Sequence, residues 1–328
     1  MRINKNIKLI INYLIGPLLL ALIIYDLIQQ FSKLENLDIY KSQMIEALTW
    51  QSMMYVFFVI VFMILQWVME AIRWRVLTKG LLTIDLFSAL KMIFTGLSFS
   101  MITPNRSGEF IGRVVHIPSE KRIVASAVTI YGSAIQWVVY CLFGTISLYL
   151  IDLNHFENQK DALLKTTLGF LKLISPLIAL GGFCIVLCVG YFSRQFISFK
   201  IFQKIQFILI ELEKIKLSQS FYLFILTLIK SAIFIIQYWM IFRCLGLDLD
   251  MFQVFIGVAI MVYGLAILPT ISFLEIGLRW EMSYHLFSIF TPNVFAVTIG
   301  TTSIYLINIV VPALIGAFLL IIKPKHSS

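Results

Sequence analysis

The sequence predicts an all-α, polytopic helical membrane protein with about six full spans and two proline-broken re-entrant hairpins in inverted repeats. Two observations support this fold class. The 328 residues are 60% hydrophobic and only 13% charged, whereas roughly a quarter of the residues in a soluble domain are charged. Apolar runs recur along the whole chain, and several reach the roughly 20 residues that a helix needs to cross the hydrocarbon core. We therefore interpret residues 1–328 as a single integral membrane domain.

Polar connectors of various lengths separate the hydrophobic segments. The approximate bounds of these segments are 9–28, 49–69, 84–103, 124–151, 173–192, 221–242, 252–270 and 294–322. The first segment is as long as a spanning helix and has no small-x-small cleavage site after it, so we expect it to stay as an anchor. The stretch 194–217 mixes Lys and Glu with apolar residues at helical spacing, which predicts an interfacial amphipathic helix.

The distribution of basic residues indicates which segments cross the membrane. If every segment crossed, the basic loop 104–123 would lie opposite the basic N-terminus, against the positive-inside rule. Segment 84–103 is unusually polar for a span and ends at Pro104, so we expect it to enter the membrane and return. Segment 252–270 ends at Pro269 and is interpreted in the same way.

This topology places both termini on the cytoplasmic side of the inner (cytoplasmic) membrane. Most of the Lys and Arg residues then lie on that side, and Arg279 lies on the outside. Lys230 is left within the apolar run FYLFILTLIKSAIFIIQYWMIF, where an ammonium group costs about a few kcal/mol unless it is paired or hydrated. We expect Lys230 to face the protein interior, near a carboxylate or backbone carbonyls.

The two interrupted segments carry similar motifs. They read PNRSGEFIGR over 104–113 and PTISFLEIGLR over 269–279. In each motif Glu and Arg are spaced i, i+4, so that on a helix they share one face and can form an ion pair. Proline-interrupted segments at corresponding positions in two halves are typical of transporter sites built from inverted repeats. The pseudo-repeats would be 49–151 and 221–322, inserted in opposite senses.

The same motifs carry a family resemblance. An R-W-x-x-L run begins at Arg73, the pattern G-x7-P-x3-G-E-x3-R extends from Gly96 to Arg113, and Pro269 and Glu275 precede a final long helix. In these features the chain resembles, over nearly its whole length, the lysylphosphatidylglycerol synthase transmembrane region family, a flippase-like membrane domain.

The resemblance implies an association with lipid modification and translocation. The best-known members are fused to a soluble aminoacyl-transferase that makes lysyl-phosphatidylglycerol. The sequence ends at Ser328, so we expect no transferase domain and no synthesis of the aminoacylated lipid. The second motif departs from the family, with ISFL at 271–274 where a Gly-x-Gly is typical.

The leading hypothesis is a flippase-like protein that binds or translocates a phospholipid or lipid-linked glycan. A guanidinium suits this work because it stays charged and contacts phosphate through two donors. Arg73, Arg75 and Lys79 are a candidate entry patch for anionic headgroups, and positive-inside topology alone explains them equally well. The expected partners are such lipids and a separate lipid-modifying enzyme, with no cofactor, metal or catalytic residue. The predicted binding residues are Arg73, Asn105, Arg106, Glu109, Arg113, Glu275 and Arg279.

Two other classes of function stay open. An intramembrane transferase or hydrolase acting on a lipid-linked substrate would use Glu109 or Glu275 as a general base. A non-transporting membrane scaffold would use the Glu-Arg pairs only to neutralise charge. The sequence has no HExxH, no Ser-His-Asp arrangement and no Walker A pattern, and its four His residues are scattered. Nucleic acid is not an expected partner despite the net charge of +9, because the basic residues are spread between apolar segments.

Overall fold

The computed structural model describes residues 49–101, 103, 106–152, 162–198, 205–268 and 272–321, together with positions 21, 25 and 46. Within those ranges the chain forms helices and turns, without any strand. In chain order the helices are α1 (Trp50–Thr78), α2 (Leu86–Ser100), α3 (Gly108–Val114), α4 (Arg122–Leu150), α5 (Ala162–Leu187), α6 (Val189–Ile197), α7 (Gln206–Glu213), α8 (Leu217–Cys244), α9 (Met251–Ile267), α10 (Ser272–Phe287), α11 (Val294–Tyr305) and α12 (Val311–Ile321). A 3-10 turn, Ser119–Lys121, precedes α4, and a π-helix, Leu306–Val310, joins α11 to α12.

Five stretches of the described chain are long and apolar enough to cross a membrane. They are α1, α4 with its preceding turn, α5 from Lys165 onward, α8, and α11 continued through α12. These stretches correspond to five of the six predicted full spans, and the remaining one, 9–28, lies almost entirely outside the described residues. Helices α2 and α9 are apolar but shorter. The prediction of a polytopic helical membrane protein is confirmed.

Polar side chains determine where several helices begin. Thr49 accepts a hydrogen bond from the backbone N–H of Ser52 at the start of α1, and the Asp85 carboxylate accepts two at the start of α2. Asp250 and Gln253 form a reciprocal capping box at the start of α9. Because the first N–H groups of a helix have no intrahelical acceptor, each of these side chains stabilises the helix that follows it.

Helices α1 and α8 pack against each other as an antiparallel pair. Hydrogen bonds join them from end to end: Ser52 Oγ to Cys244 O, Gln237 Nε2 to Val59 O, Gln66 Nε2 to Gln237 Oε1, and Gln219 Nε2 to Val76 O. Residue numbers fall along α8 as they rise along α1, which defines the antiparallel direction. Since a polar group buried among apolar helices costs free energy unless it is hydrogen-bonded, these contacts also fix the register of the pair.

The first hairpin consists of α2 and α3. The chain turns back after α2, and α3 lies directly on it because glycines remove the side chains between them. A Cβ atom added at Gly112 would lie 2.6 Å from Gly96 Cα, and one added at Gly108 would overlap the Phe99 carbonyl. Thr95 Oγ1 donates to the carbonyl oxygen of Gly112 at 3.2 Å. The predicted helical turn-back is thus present, while the membrane face from which it enters stays a prediction.

The second hairpin consists of α9 and α10. Gly257 lies against the Phe287 ring and Gly264 against the end of Met282, so that the two helices run antiparallel. Pro269, which the sequence analysis placed at the turn, lies outside the described residues. Helix α10 has 16 residues and is longer than α3, which has seven. The two hairpins therefore share their helix order but differ in the length of the returning helix.

Each hairpin packs on the last span of the opposite half of the chain. Ser98 Oγ of α2 donates to the Ala313 carbonyl of α12 at 2.5 Å. Trp137 Nε1 of α4 donates to the Ala266 carbonyl of α9 at 3.1 Å, and Gly144 of α4 lies against the Tyr263 ring. The order of span, hairpin and span occurs in both 50–150 and 217–321. The division into inverted pseudo-repeats stays a prediction, and these contacts agree with it.

The stretch 194–217 differs from its prediction. It does not form one amphipathic helix, because α6 ends at Ile197 and α7 begins only at Gln206. The two short helices pack on each other, with Gly190 close to the Ile215 carbonyl and Arg194 Nε 3.9 Å from Glu213 Oε1. Residues 199–204 lie outside the described chain.

Candidate functional site

Glu70 is the centre of a buried group of cations. This residue lies on α1, is 7% exposed, and was not singled out by the sequence analysis. Its carboxylate accepts hydrogen bonds from Arg73 at 2.5 Å, from Arg113 at 2.9 Å and from Lys230 at 2.7 Å. A carboxylate within an apolar span is by itself a signal of a functional or structural polar site, so the sequence did contain the information.

Arg73 lies inside the protein rather than on its surface. Only 1% of this residue is exposed, and its second terminal nitrogen donates to the Gly132 carbonyl of α4 at 2.8 Å. Arg75 and Lys79, in contrast, are exposed. Arg73 is therefore separated from Arg75 and Lys79, because side chains two residues apart on a helix point about 200° apart. The role of these residues as an entry patch stays a prediction.

The first motif forms its predicted ion pair on α3. Glu109 and Arg113 contact each other across one helical turn, and Arg113 also binds Glu70, so two carboxylates share one guanidinium. The Arg113 guanidinium lies 5.5 Å from the centre of the Trp74 ring. A Cβ added at Gly96 would lie 2.8 Å from Arg113 Cγ, which explains why the sequence has glycine beside this arginine.

The second motif also forms its predicted ion pair, and a residue of the first motif joins it. Arg279 donates twice to Glu275 Oε1, at 2.7 and 3.2 Å. Arg106 binds the same carboxylate through two parallel hydrogen bonds of 3.0 and 3.1 Å. Arg106 therefore connects the turn of the first hairpin to the second hairpin. Arg279 is 6% exposed and lies 5.6 Å from the Tyr305 ring, and its assignment to the outer side of the membrane stays a prediction.

Backbone geometry distinguishes Arg106 from the other cations. Its φ angle is +55°, in the left-handed region that non-glycine residues seldom adopt. Its side chain is 34% exposed, whereas that of Arg113 is 5% exposed. Arg106 is thus the most accessible of the arginines that contact a buried carboxylate in the described chain.

Lys230 has the interior partners that the sequence predicted. Besides Glu70, its ammonium donates to Gln136 Oε1 at 2.9 Å. The Gln136 amide donates in turn to the Tyr140 hydroxyl at 2.6 Å, and Tyr140 lies in the region of Arg73, Arg106 and Arg279. Glu70 and Glu275 each hold their own group of cations, and Tyr140 lies in the region of both groups. We call the two groups together the charge cluster, and its charged members are Glu70, Arg73, Arg106, Glu109, Arg113, Lys230, Glu275 and Arg279.

Asn105 and His116 lie on either side of α3 in the sequence. Asn105 lies outside the described residues. His116 follows α3, and burial, with Lys91 and Arg122 nearby, lowers its pKa to about 4. Within the described ranges no three His, Cys, Asp or Glu side chains lie together as ligands of a metal would. The cluster offers guanidinium and ammonium donors instead, which are the groups that proteins use to bind carboxylates and phosphates.

An all-helical bundle with several apolar spans and a buried charge cluster between two helical hairpins defines a polytopic integral membrane protein. The family model described as lysylphosphatidylglycerol synthase TM region matches residues 13–316. The chain therefore belongs to that family, as its motifs indicated, and is a lipid-related integral membrane protein. No curated protein and no solved structure matches it significantly.

Proposed function

We propose that this protein is flippase-like and that it binds and translocates a phospholipid or lipid-linked glycan through an anionic headgroup. The observation that carries the proposal is the pair of hydrogen bonds from Arg106 to Glu275. This guanidinium lies at the junction of the two hairpins, is one-third exposed, and already holds an oxyanion with two parallel donors. A phosphate has the same acceptor geometry as the carboxylate that it would replace.

Competition between carboxylate and phosphate supports a binding cycle. A headgroup that reaches Arg106 displaces Glu275, which keeps its bonds to Arg279. Glu109 is 19% exposed and can release Arg113, because Arg113 retains Glu70. Arg106 and Arg113 can thus each exchange one partner without leaving a buried carboxylate unpaired. An unpaired buried carboxylate would cost about 3–5 kcal/mol.

An intramembrane transferase or hydrolase would need one of these carboxylates as a general base. A general base must accept a proton, and a carboxylate that two guanidinium groups hydrogen-bond, such as Glu275, is held in its charged form. We therefore propose that the protein has no enzymatic activity of its own. Its proposed partners are anionic membrane lipids and a separate lipid-modifying enzyme. We further propose that it lies in the cytoplasmic membrane with both termini on the cytoplasmic side.

Reconstitution tests this function. The purified chain is placed in vesicles that contain a headgroup-labelled phosphatidylglycerol, and transfer between leaflets is followed with a membrane-impermeant quencher. We expect Arg106→Gln to slow transfer by about tenfold or more, since hydrogen bonds with charged groups contribute about 1.5–3 kcal/mol. Arg194→Gln is the matched control, because that arginine is exposed and lies 3.9 Å from Glu213, away from the cluster.

Three results would argue against the proposal. Unchanged lipid transfer by the Arg106→Gln variant would contradict the assignment of Arg106 as a headgroup-binding residue. A lipid of altered mass after incubation would favour the transferase or hydrolase. Neither transfer nor altered lipid in the wild type would favour the scaffold.

A further inference from the structure

The charge cluster holds more cations than carboxylates. Among the described residues, five cationic side chains contact three carboxylates, which leaves one excess positive charge around Glu70 and one around Glu275. Other described carboxylates that form ion pairs, such as Glu211 with Lys214 and Asp248 with Arg243, do so outside the cluster. Charge inside a membrane protein is costly unless it is compensated. The imbalance therefore indicates a negatively charged ligand. An excess of two positive charges indicates that this ligand carries two negative charges.

Unpartnered donors lie in the same place. Nε of Arg73, Nε of Arg113 and the indole N–H of Trp74 are buried and have no hydrogen-bond partner in the described part of the chain. Leaving a buried donor without an acceptor costs about 1–3 kcal/mol each. These three residues meet where Arg113 stacks on Trp74, beside Glu70. A ligand rich in acceptor oxygens would satisfy donors that the protein itself leaves unused.

Lys230 supplies one of the two excess charges. It comes from α8, whereas the arginines of the cluster come from α1, the first hairpin and the second hairpin, so it is the lone contribution of that span. An ammonium is a point charge that adds attraction without the planar fork of an arginine. Lys230 therefore adjusts how much negative charge the site accepts, more than how the ligand is oriented.

We propose that the ligand of the charge cluster is a lipid phosphate monoester carrying two negative charges, rather than a phosphodiester lipid carrying one. This inference rests on the proposed function and specifies its substrate class. A monoester neutralises the whole excess and presents three terminal oxygens to the arginines. A diester headgroup such as that of phosphatidylglycerol neutralises half of it.

Ligand-induced thermal stabilisation of the full chain in detergent tests the proposal. The probes are short-chain phosphatidic acid, phosphatidylglycerol, phosphatidylcholine and inorganic phosphate. At pH 8 we expect phosphatidic acid to bind at least about tenfold more tightly than phosphatidylglycerol, because a second charge within several ångströms of the cations adds a Coulomb term of that order. At pH 5 the ratio should approach one, since a phosphate monoester dianion takes up one proton near about pH 6 and becomes a monoanion.

Paired variants identify the source of the preference. Lys230→Gln should reduce the ratio of phosphatidic acid to phosphatidylglycerol affinity at pH 8 to about threefold or less, with half of the excess charge removed. Lys214→Gln, which changes an exposed lysine paired with Glu211, should keep the wild-type ratio. The pH series uses the wild type alone, so it tests the preference for a phosphate monoester even where a variant folds poorly.

The possible failures are distinguishable. Equal binding of phosphatidic acid and phosphatidylglycerol at pH 8 would overturn the monoester assignment and leave the proposed function standing. A Lys230→Gln variant that folds and keeps the wild-type ratio would also overturn it. Equal stabilisation by inorganic phosphate would overturn the lipid as the source of the charge. Absence of binding by every lipid would contradict the proposed function itself.

Discussion

Replacing Glu70 should destabilise the protein more than replacing Glu109, although only Glu109 lies in a recognisable motif. Glu70→Gln keeps the side-chain volume but removes the carboxylate that binds Arg73, Arg113 and Lys230. Breaking one buried ion pair costs about 3–5 kcal/mol, and the three contacts are not additive, so we expect a loss of at least about 3 kcal/mol. Glu109→Gln leaves Arg113 bound to Glu70, and a loss of about 1 kcal/mol is expected.

Thermal unfolding in detergent measures this difference. At about 2 °C per kcal/mol for a chain of this length, Glu70→Gln should lower Tm by roughly 6 °C and Glu109→Gln by roughly 2 °C. The double variant Glu70→Gln/Lys230→Met removes one charge of each sign and should recover at least about half of the loss. The reasoning is refuted if Glu109→Gln lowers Tm as much as Glu70→Gln, or if the double variant is no more stable than Glu70→Gln alone.

Three further predictions concern Lys230, topology and pH. Lys230→Met should be tolerated better than Lys230→Glu, which places a second carboxylate against Glu70, and equal expression and Tm of the two variants would contradict this. A cysteine probe at Ser119, on a background without native thiols, should be labelled only from the cytoplasmic side. Labelling only from outside would contradict the predicted re-entrant topology of the first hairpin. His116 has a lowered pKa of about 4, so its contribution is complete above about pH 6.5 and is lost as pH falls towards 4, by up to about 3 kcal/mol. His116→Asn should therefore lose less stability than the wild type over that range, and identical pH profiles of Tm would show that this histidine is not involved.

Local spacing made part of the site predictable. The pairs Glu109 with Arg113 and Glu275 with Arg279 follow from an i, i+4 interval, which any helix converts into contact. The interior position of Lys230 follows from the cost of an ammonium group in a span. Neither inference requires knowledge of how the helices pack, so both survived comparison with the structure.

Contacts between distant segments were not predictable in this way. Arg106 and Glu275 are 169 residues apart, and their pairing depends on how the two hairpins meet. The burial of Arg73 was not predictable either, because a topology argument counts charges without knowing how the helices pack. Glu70 was not predicted, although a carboxylate in an apolar helix is itself a signal of a buried polar site.

The packing of each hairpin on the final span of the other half has a consequence for biosynthesis. Ser98 of α2 is 215 residues from its acceptor, Ala313 of α12. At roughly 5–20 residues per second, a ribosome needs roughly 10–40 s to synthesise the chain between them. During that interval the face of α2 that carries Ser98 lacks the helix that covers it. The membrane-insertion machinery must therefore shelter a half-finished hairpin from lipid until α12 arrives.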